Sequence, residues 1–302
     1  MIITTETLQA INKGFQTTFW DAYHGAKEGS LTETLALRST SKAAEEIYGW
    51  LGAIPGLREL VGEIEIANIL EHAYRIPNKE FERTIAVKRA SIERDTLGTY
   101  TPLLTAIGIA AAEHADELLV ARMIGGFTEL CYTGLPFFAL NHEPKKGGVK
   151  FSNLTTKKLS RDNFRTAREA IQSRLNYEGR PMNLGRKLVL VVSPKNQSLA
   201  LEITAAEKVA GGDSNVDKGT ATAMVINRLA ANPDMWFLFD LGWPVKPFIN
   251  QIELETEFTS LDNPRDHHVF FKKEYLHQAY RRGNVGFGMP ETAYGSTGVD
   301  AA

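Results

Sequence analysis

The residues of this chain that could do chemistry are few. Asp266, His267 and His268, joined by His277 or His142, have the donor types of a metal site. The segment from His268 to Phe271 reads as the start of a strand, where adjacent side chains face opposite sides, so the histidine pair would not share one ion. No HxxxH, HExxH or CxxC spacing occurs. Cys131 with His142 as base is the candidate nucleophile, but a lone cysteine among aromatics behaves as a small buried hydrophobe. Gly283, Gly286 and Gly288 mimic a phosphate cradle, yet the run opens no helix, and a helix N-terminus is what phosphate binding uses. The pair Glu63 and Glu65 shares one face of a strand, where solvation explains it. His114 falls on the apolar side of a helix and reads as a satisfied core histidine. These residues describe no enzyme, no cofactor site and no small-molecule substrate.

Charge is the more informative signal. The 302 residues carry 34 basic and 36 acidic side chains, a net of −2. Residues 145–187 alone carry 12 basic and 3 acidic side chains, while the segments on either side are acidic. The block includes Lys145, Lys146, Lys150, Lys157, Lys158, Arg161, Arg165 and Arg168. It suits a phosphate-facing surface or, more simply, a charged face that pairs with acidic surfaces of the same subunit or a neighbour. No aromatic interleaving supports a specific nucleic-acid reader.

Composition excludes two classes. With 43% hydrophobic and 23% charged residues the chain is not disordered. The longest uncharged run, 96–112, contains threonines, a tyrosine and a proline, and is shorter than the ~20 apolar residues of a membrane span. The first fifteen residues lack the basic start of a signal peptide, and a single cysteine forms no intrachain disulfide. The expectation is a cytoplasmic chain of one or two domains. A compact monomer of this mass would expose roughly 12,700 Å².

These side chains must be positioned by elements of two periods. To about Ser41 the chain reads as an arm, loose or docked, with an apolar rhythm at Leu8, Ile11, Phe15 and Phe19. Trp50, between glycines, reads as an anchor beside a turning chain. From Leu60 to Val87 the period is two, with Phe81, Ile85 and Val87 alternating with charged or polar residues, which predicts long antiparallel strands. Thr101 and Pro102 open a long helix with Leu103, Ile107, Ala110, Ala111, His114, Leu118 and Ala121 inward, ended by Gly125-Gly126. A turn-rich stretch, 131–144, packs Phe137 and Phe138. A second helix runs from Asp162 to about Asn176 with Ser160 as cap. An apolar strand at 188–192, a helix from Pro194 through Ala206, a loop at 211–219, and strands at 236–239 and 245–258 follow, with a tail from Gly295.

That order of arm, protruding two-stranded loop, long helix and mixed α/β region resembles the Hong Kong 97-type capsid fold, an α+β architecture. At residue level the chain resembles the major head subunit family of phage Mu and Mu-like prophages. The likeness lies in Tyr48-Gly49-Trp50-Leu51-Gly52, Leu57-Arg58, Asn78-Lys79-Glu80-Phe81-Glu82, Arg94-Asp95, Asp116-Glu117-Leu118, Cys131-Tyr132, Phe137-Phe138 and His142. It continues in Pro244, Pro247-Phe248-Ile249 and Asp266-His267-His268-Val269-Phe270 to Arg282. Residues 150–230 are the least distinctive.

The resemblance implies an N-terminal arm (1–47), an extended loop (48–80) and a peripheral domain (81–180) whose spine helix is 102–124. An axial domain (181–260) and returning strands with a tail (261–302) complete it. It implies a virion subunit that self-assembles through hexamers and pentamers into an icosahedral head around double-stranded DNA. Scaffold and portal would be its partners, no membrane would be involved, and the host cytoplasm would be the place of assembly. Assembly contacts are expected at Tyr48, Trp50, Leu57, Arg58, Glu63, Glu65, Asn78, Lys79, Arg281 and Arg282, and replacement of Trp50 is expected to cost assembly before folding. The competing readings are an encapsulin-like shell around protein cargo, a metal- or cysteine-dependent enzyme, and a nucleic-acid-binding module using 145–187.

Overall fold

The computed structural model describes residues 5–51, 74–94, 100–144, 148–176, 178–209, 212–263 and 265–300. In chain order these form α1 (Thr5–Lys27), α2 (Leu31–Leu35), β1 (Ala36–Thr40), β2 (Glu45–Ile47), β3 (Arg75–Pro77) and β4 (Lys79–Lys88). Next come α3 (Arg89–Arg94), α4 (Thr101–Gly125), β5 (Leu154–Thr155), α5 (Arg161–Gln172), β6 (Leu188–Val192) and α6 (Gln197–Thr204). The chain closes with β7 (Thr222–Val225), β8 (Trp236–Asp240), β9 (Phe248–Leu261), α7 (His267–Lys272), β10 (Glu274–Phe287) and β11 (Ala293–Ser296).

Two sheets carry the molecule. In β6 (LVLVV) and β8 (WFLFD) every residue is buried, because apolar runs without alternation require cover on both faces. They form the centre of a five-stranded sheet ordered β5-β11-β8-β6-β7, flanked by α5 and α6. The second sheet is ordered β1-β9-β10-β4 and is dominated by the long β9–β10 pair. Its β4 runs antiparallel to β10 from Glu274↔Lys88 to Gly283↔Lys79 and keeps the expected alternation, with Val87 buried and Phe81 and Ile85 half-buried. Of the strand expected from 60–76 as a hairpin partner, residues 60–73 lie outside the described residues, while Arg75–Pro77 forms β3 and pairs with β2, not with β4.

Residues 5–40 are docked rather than loose. α1 lies along α4, and Phe19, fully buried, stacks on Phe258 of β9 with ring centroids 4.1 Å apart. β1 adds a parallel strand to β9, from Ala36↔Phe248 to Thr40↔Ile252.

α4 presents a different face from the one expected. The buried positions include Leu104, Gly108, Ala112, Ala115, Leu119, Val120 and Met123, whereas Leu103 is exposed. The helix is rich in Ala, Leu and Ile on every side, so spacing alone selects no face. Tyr100, not Thr101, occupies the N-cap position, and no side chain caps it. Gly126 ends the helix in ordinary right-handed geometry. Its need for glycine comes from the Phe138 ring, which a Cβ would meet at 2.9 Å.

Further expectations are corrected. The segment at His267–Lys272 is a short helix between β9 and β10, not the start of a strand. Gly295 and Ser296, expected in the tail, instead belong to β11, wholly buried between β5 and β8. β7, which follows the expected 211–219 loop, pairs in parallel with β6 and carries no clear alternation in sequence. The helix expected over 162–176 is shorter, Arg161–Gln172, with Ser160 capping it by accepting from the Asn163 N–H at 3.2 Å. The accessible surface, 16423 Å², exceeds the roughly 12,700 Å² of a compact monomer of this mass.

Candidate assembly surfaces

The segment that the sequence marks as an extended loop leaves and re-enters the described structure through one ladder. β2 and β3 pair antiparallel at Glu45↔Pro77, Glu46↔Ile76 and Ile47↔Arg75, and the Tyr48 N–H donates to the Tyr74 carbonyl at 2.8 Å. Below this ladder lies a polar knot. The Tyr48 hydroxyl donates to Gln251 Oε1 at 2.9 Å, Gln251 Nε2 donates to Asn78 Oδ1 at 2.7 Å, and Asn78 Nδ2 donates to Ser41 Oγ at 2.8 Å. Tyr48 is thus buried in its own subunit, and that burial raises its phenol pKa. Trp50 is half-buried and packs against the same cluster, its ring edge-on to Tyr48 at 6.1 Å. Leu57, Arg58, Glu63 and Glu65 lie outside the described residues.

A second surface runs along the β4–β10 pair. Lys79 is exposed at its end, and Arg282 meets Glu253 at 3.2 Å. Between this pair and α4 opens a groove of about 820 Å³, floored by Phe81, Ile107, Ala110, Ala111 and Ala279. His114 lines it, its ring 4.3 Å from Phe81 and its Nδ1 without a hydrogen-bond partner among the described residues. Burial, then Arg281, lowers the pKa of this histidine. It borders a groove rather than sitting satisfied in a core. At the far end of the same strands, α7 exposes Phe270 and Phe271 at 58% and 65%. Both phenylalanines are visible in the sequence, but only the helical turn directs both outward.

The basic block is largely answered within the subunit. Arg161, Arg165 and Arg168 stand on one face of α5 at i, i+4 and i+7 and converge on Asp217, whose side chain is fully buried. Arg165 Nε reaches both carboxylate oxygens, at 3.2 and 2.9 Å. Lys150 meets Glu143 at 3.6 Å and Lys158 meets Asp300 at 4.0 Å, while Lys157 is exposed. Arg174, buried, lies over the Phe151 ring at 4.1 Å and donates to the Ser152 carbonyl at 3.0 Å; burial pulls its pKa down to about 10. Lys145 and Lys146 lie outside the described residues.

The remaining candidates are dispersed. Burial pushes the Cys131 thiol up to about 11, which suppresses the thiolate a nucleophile requires. His142 bonds Thr133 Oγ1 at 2.8 Å and the Phe137 carbonyl at 3.1 Å, and burial pulls it down to about 4. His277 meets Ser260 Oγ at 2.9 Å, and His267 packs on Phe271. Among the described residues no group of three or more histidine, cysteine or acidic side chains could hold a metal. Gly286 and Gly288 serve close packing: a Cβ would meet Ile76 Cδ1 at 2.2 Å and the Lys246 carbonyl at 2.1 Å.

Two residues to which the sequence assigns no role hold these surfaces in place. Asp116 of α4 accepts from Ser30 Oγ at 2.7 Å and from the Leu31 and Thr32 N–H groups at 3.0 and 2.9 Å, fixing the start of α2. Asn153 joins the Phe137, Ala139 and Pro290 backbones. Neither role has a local sequence signal, because the bonds reach partners distant in sequence.

The long helix over a four-stranded sheet and the second α/β layer define a major capsid protein of the Hong Kong 97 type. The subunit structure from the procapsid of bacteriophage JBD30 superposes with a TM-score of 0.59 at 29% identity, covering 97% of this chain and 76% of that one. The family described as Mu-like prophage major head subunit gpT matches residues 8–158, 147–229 and 221–299, and the chain belongs to that family. The Mu-like prophage FluMu major head subunit of Haemophilus influenzae is 26% identical over 296 residues, covering 98% of this chain and 75% of the relative. The major capsid protein of Escherichia phage Mu is 33% identical over 166 residues, 54% of each chain. These relatives are structural proteins, not enzymes.

Proposed function

We propose that this subunit builds the wall of an icosahedral phage head through hexamers and pentamers, and that the loop rooted between Ile47 and Arg75 lies across an adjacent subunit. The observation that carries this reading is the family match along almost the whole chain, together with the ladder that brings both ends of the loop to one fixed point. A loop held at its root by Tyr48, Trp50 and the Gln251 knot transmits a pull from a neighbour into the core without unfolding its base. Head-to-tail contacts of this kind close into rings, and each can be weak because every subunit is held at several edges at once. Assembly in the host cytoplasm, with a scaffold, a portal and packaged double-stranded DNA as partners, completes the proposal. The α5 arginines, turned inward onto Asp217, favour DNA contact that is loose and nonspecific.

Electron microscopy of the purified chain after size-exclusion chromatography, across ionic strengths and with co-expressed scaffold, tests this. Shells, tubes or capsomer rings are expected; a monodisperse monomer in every condition overturns it. A variant lacking residues 60–76 should stay soluble but form no shells, and shells of normal size from it would refute the strap.

A further inference from the structure

α1 covers a buried histidine that no reading of the assembly surfaces uses. Phe19 of α1 stacks on Phe258, and four residues earlier Phe15 meets the His277 ring at 81°, with centroids 5.5 Å apart. His277 is 1% exposed and lies parallel to Phe258 at 6.0 Å, so aromatic rings enclose it from two directions. Its Nδ1 meets Ser260 Oγ, and its Nε2 has no hydrogen-bond partner among the described residues. Burial lowers its pKa, opposed by Asp262 at the end of β9.

Asp262 is the charge that acts on this imidazole among those on the elements around it. β4 places Ile85 opposite His277 and carries Arg83, exposed, two residues away. β10 adds Tyr275 and Arg281 on the same face, and α7 adds His268. Tyr100 precedes α4, which is uncharged from Thr101 to Ala112. α1 itself carries Lys13, exposed, and His24, which stacks on Trp20 at 5.6 Å. An imidazolium donates from both nitrogens, so a proton on His277 would strand the Nε2–H in an apolar enclosure.

The far end of α1 supplies a hinge. Gly29 holds left-handed geometry, φ 82°, and no atom lies within 4 Å of where its Cβ would be. Directly after it Asp116 pins Ser30, Leu31 and Thr32 to α4, so α2 and β1 keep their places when the preceding helix moves. The ion pair of Lys27 with Glu255, at 3.7 Å, sits beside this hinge and leaves the length of α1 held by apolar packing.

We propose that α1 is an acid-released arm, which lifts about Gly29 when the His277 imidazole beneath Phe15 takes up a proton. The docked arm encloses the ring and favours its neutral form, whereas the lifted arm lets water reach it. The docked state therefore binds the proton more weakly. Its stability is intact above about pH 6.5, the ordinary value of a free histidine, and is lost as pH falls below it. In that range each pH unit multiplies the ratio of lifted to docked arm by up to about tenfold. The subunit would change its surface in this way while both sheets stay folded.

Amide hydrogen exchange of the full-length, unassembled subunit, read by mass spectrometry and corrected for the intrinsic effect of pH, tests this. Exchange in α1 should speed up at least about fivefold from about pH 7.5 to about pH 5.5, while β6 and β8 stay protected. H277F should fold and abolish the response of α1, and H24Q should keep it. An equal response in wild type and H277F overturns the proposal, as does a wild-type α1 whose protection ignores pH. Loss of protection in β6 and β8 in step with α1 reports global unfolding and overturns it too. Should H277F fail to fold, H277Q is read in the same way, and a response lost in H24Q assigns the effect to the histidine of α1 and overturns the role of His277.

Discussion

Asp217→Asn tests whether the basic block is a structural device of the subunit or a surface waiting for DNA. The substitution keeps the shape of the side chain and removes its charge. In the native protein that carboxylate is fully buried, while Arg161, Arg165 and Arg168 retain 25%, 40% and 22% side-chain exposure. Removing one partner of a fully buried ion pair costs about 3–5 kcal/mol, whereas an exposed pair is worth about 0–1 kcal/mol. The arginines can swing partly into water, but the introduced amide would set its N–H₂ against guanidinium donors and leave one oxygen for the fork of Arg165. Between these limits the expected loss is about 2–3 kcal/mol. It should appear in urea unfolding of the subunit as a lower midpoint at unchanged slope. Added salt should shrink the difference only slightly, because the carboxylate is shielded from solvent. A loss below about 0.5 kcal/mol, within the range of an exposed pair, would refute the reasoning. The three arginines would then be stabilised by something other than Asp217, and the phosphate-facing reading of the block would regain its place.

Other outcomes follow from the same packing. His142 titrates near 6.5 when unfolded but is held down to about 4 by burial, so the unfolded state takes up its proton first. Its contribution is intact above pH 6.5 and is lost as pH falls toward 4, reaching about 3 kcal/mol; His277 and His114, also lowered by burial, add in the same direction. Unfolding midpoints measured between pH 7 and 5 should fall in wild type and fall less in His142→Gln, and parallel slopes would count against this account. Gly108→Ala in α4 gains helix propensity of about 1 kcal/mol, but its Cβ would lie 2.5 Å from the Phe19 carbonyl oxygen. The net result should be destabilisation of about 1–3 kcal/mol by forced separation of α1 and α4, and a stabilised variant would show that α1 yields freely. Replacing Phe270 and Phe271 together with serine should leave the fold intact and raise the protein concentration needed for assembly at least tenfold, since burying one phenylalanine is worth about 1.5–3 kcal/mol. Sedimentation across a concentration series reads this, and an unchanged threshold removes the pair from the interface.

The parts of the fold legible in sequence are those whose pattern has one physical solution. β6 and β8 are apolar runs too short for helices and without a polar face, so they must be central strands. Ser160 is followed by Arg161, Asp162 and a spaced Phe164, Ala167 and Ile171, which only a capped amphipathic helix satisfies. Where several solutions exist the pattern is silent. α4 is apolar all round because α1 takes one side of it and the Phe81 groove borders another, so no single stripe marks its face. The residues 267–272 have the composition of a strand but make a helical turn, and Lys273 accepts left-handed geometry, φ 55°, to lead into β10. β11 has the glycine and serine of a loop, yet Gly295 is required there because a Cβ would strike the Phe138 ring at 2.7 Å. The candidate surfaces were legible as residue types but not as contacts. The basic block was visible, while its convergence on Asp217 from 49–56 residues away was not.

The distribution of order in the subunit fits the way a shell is built. The five-stranded sheet and the β9–β10 pair are closed systems: their apolar faces are covered, and Asn153, Asp240 and Gln251 satisfy backbone groups of neighbouring segments. Surfaces left open lie at the edges, in the groove beside α4, in the aromatic pair on α7 and at the β2–β3 ladder. A monomeric protein gains nothing from an exposed phenylalanine pair on a charged helical turn, and large apolar exposure invites aggregation. A subunit of a shell can bury such a pair against a neighbour, where the contact need not disturb the covered core. Mutations in the closed regions should therefore alter unfolding, and mutations at the open edges should alter assembly. His114 is the informative exception, since it stands on the wall of the groove and within the field of Arg281, where the two properties meet.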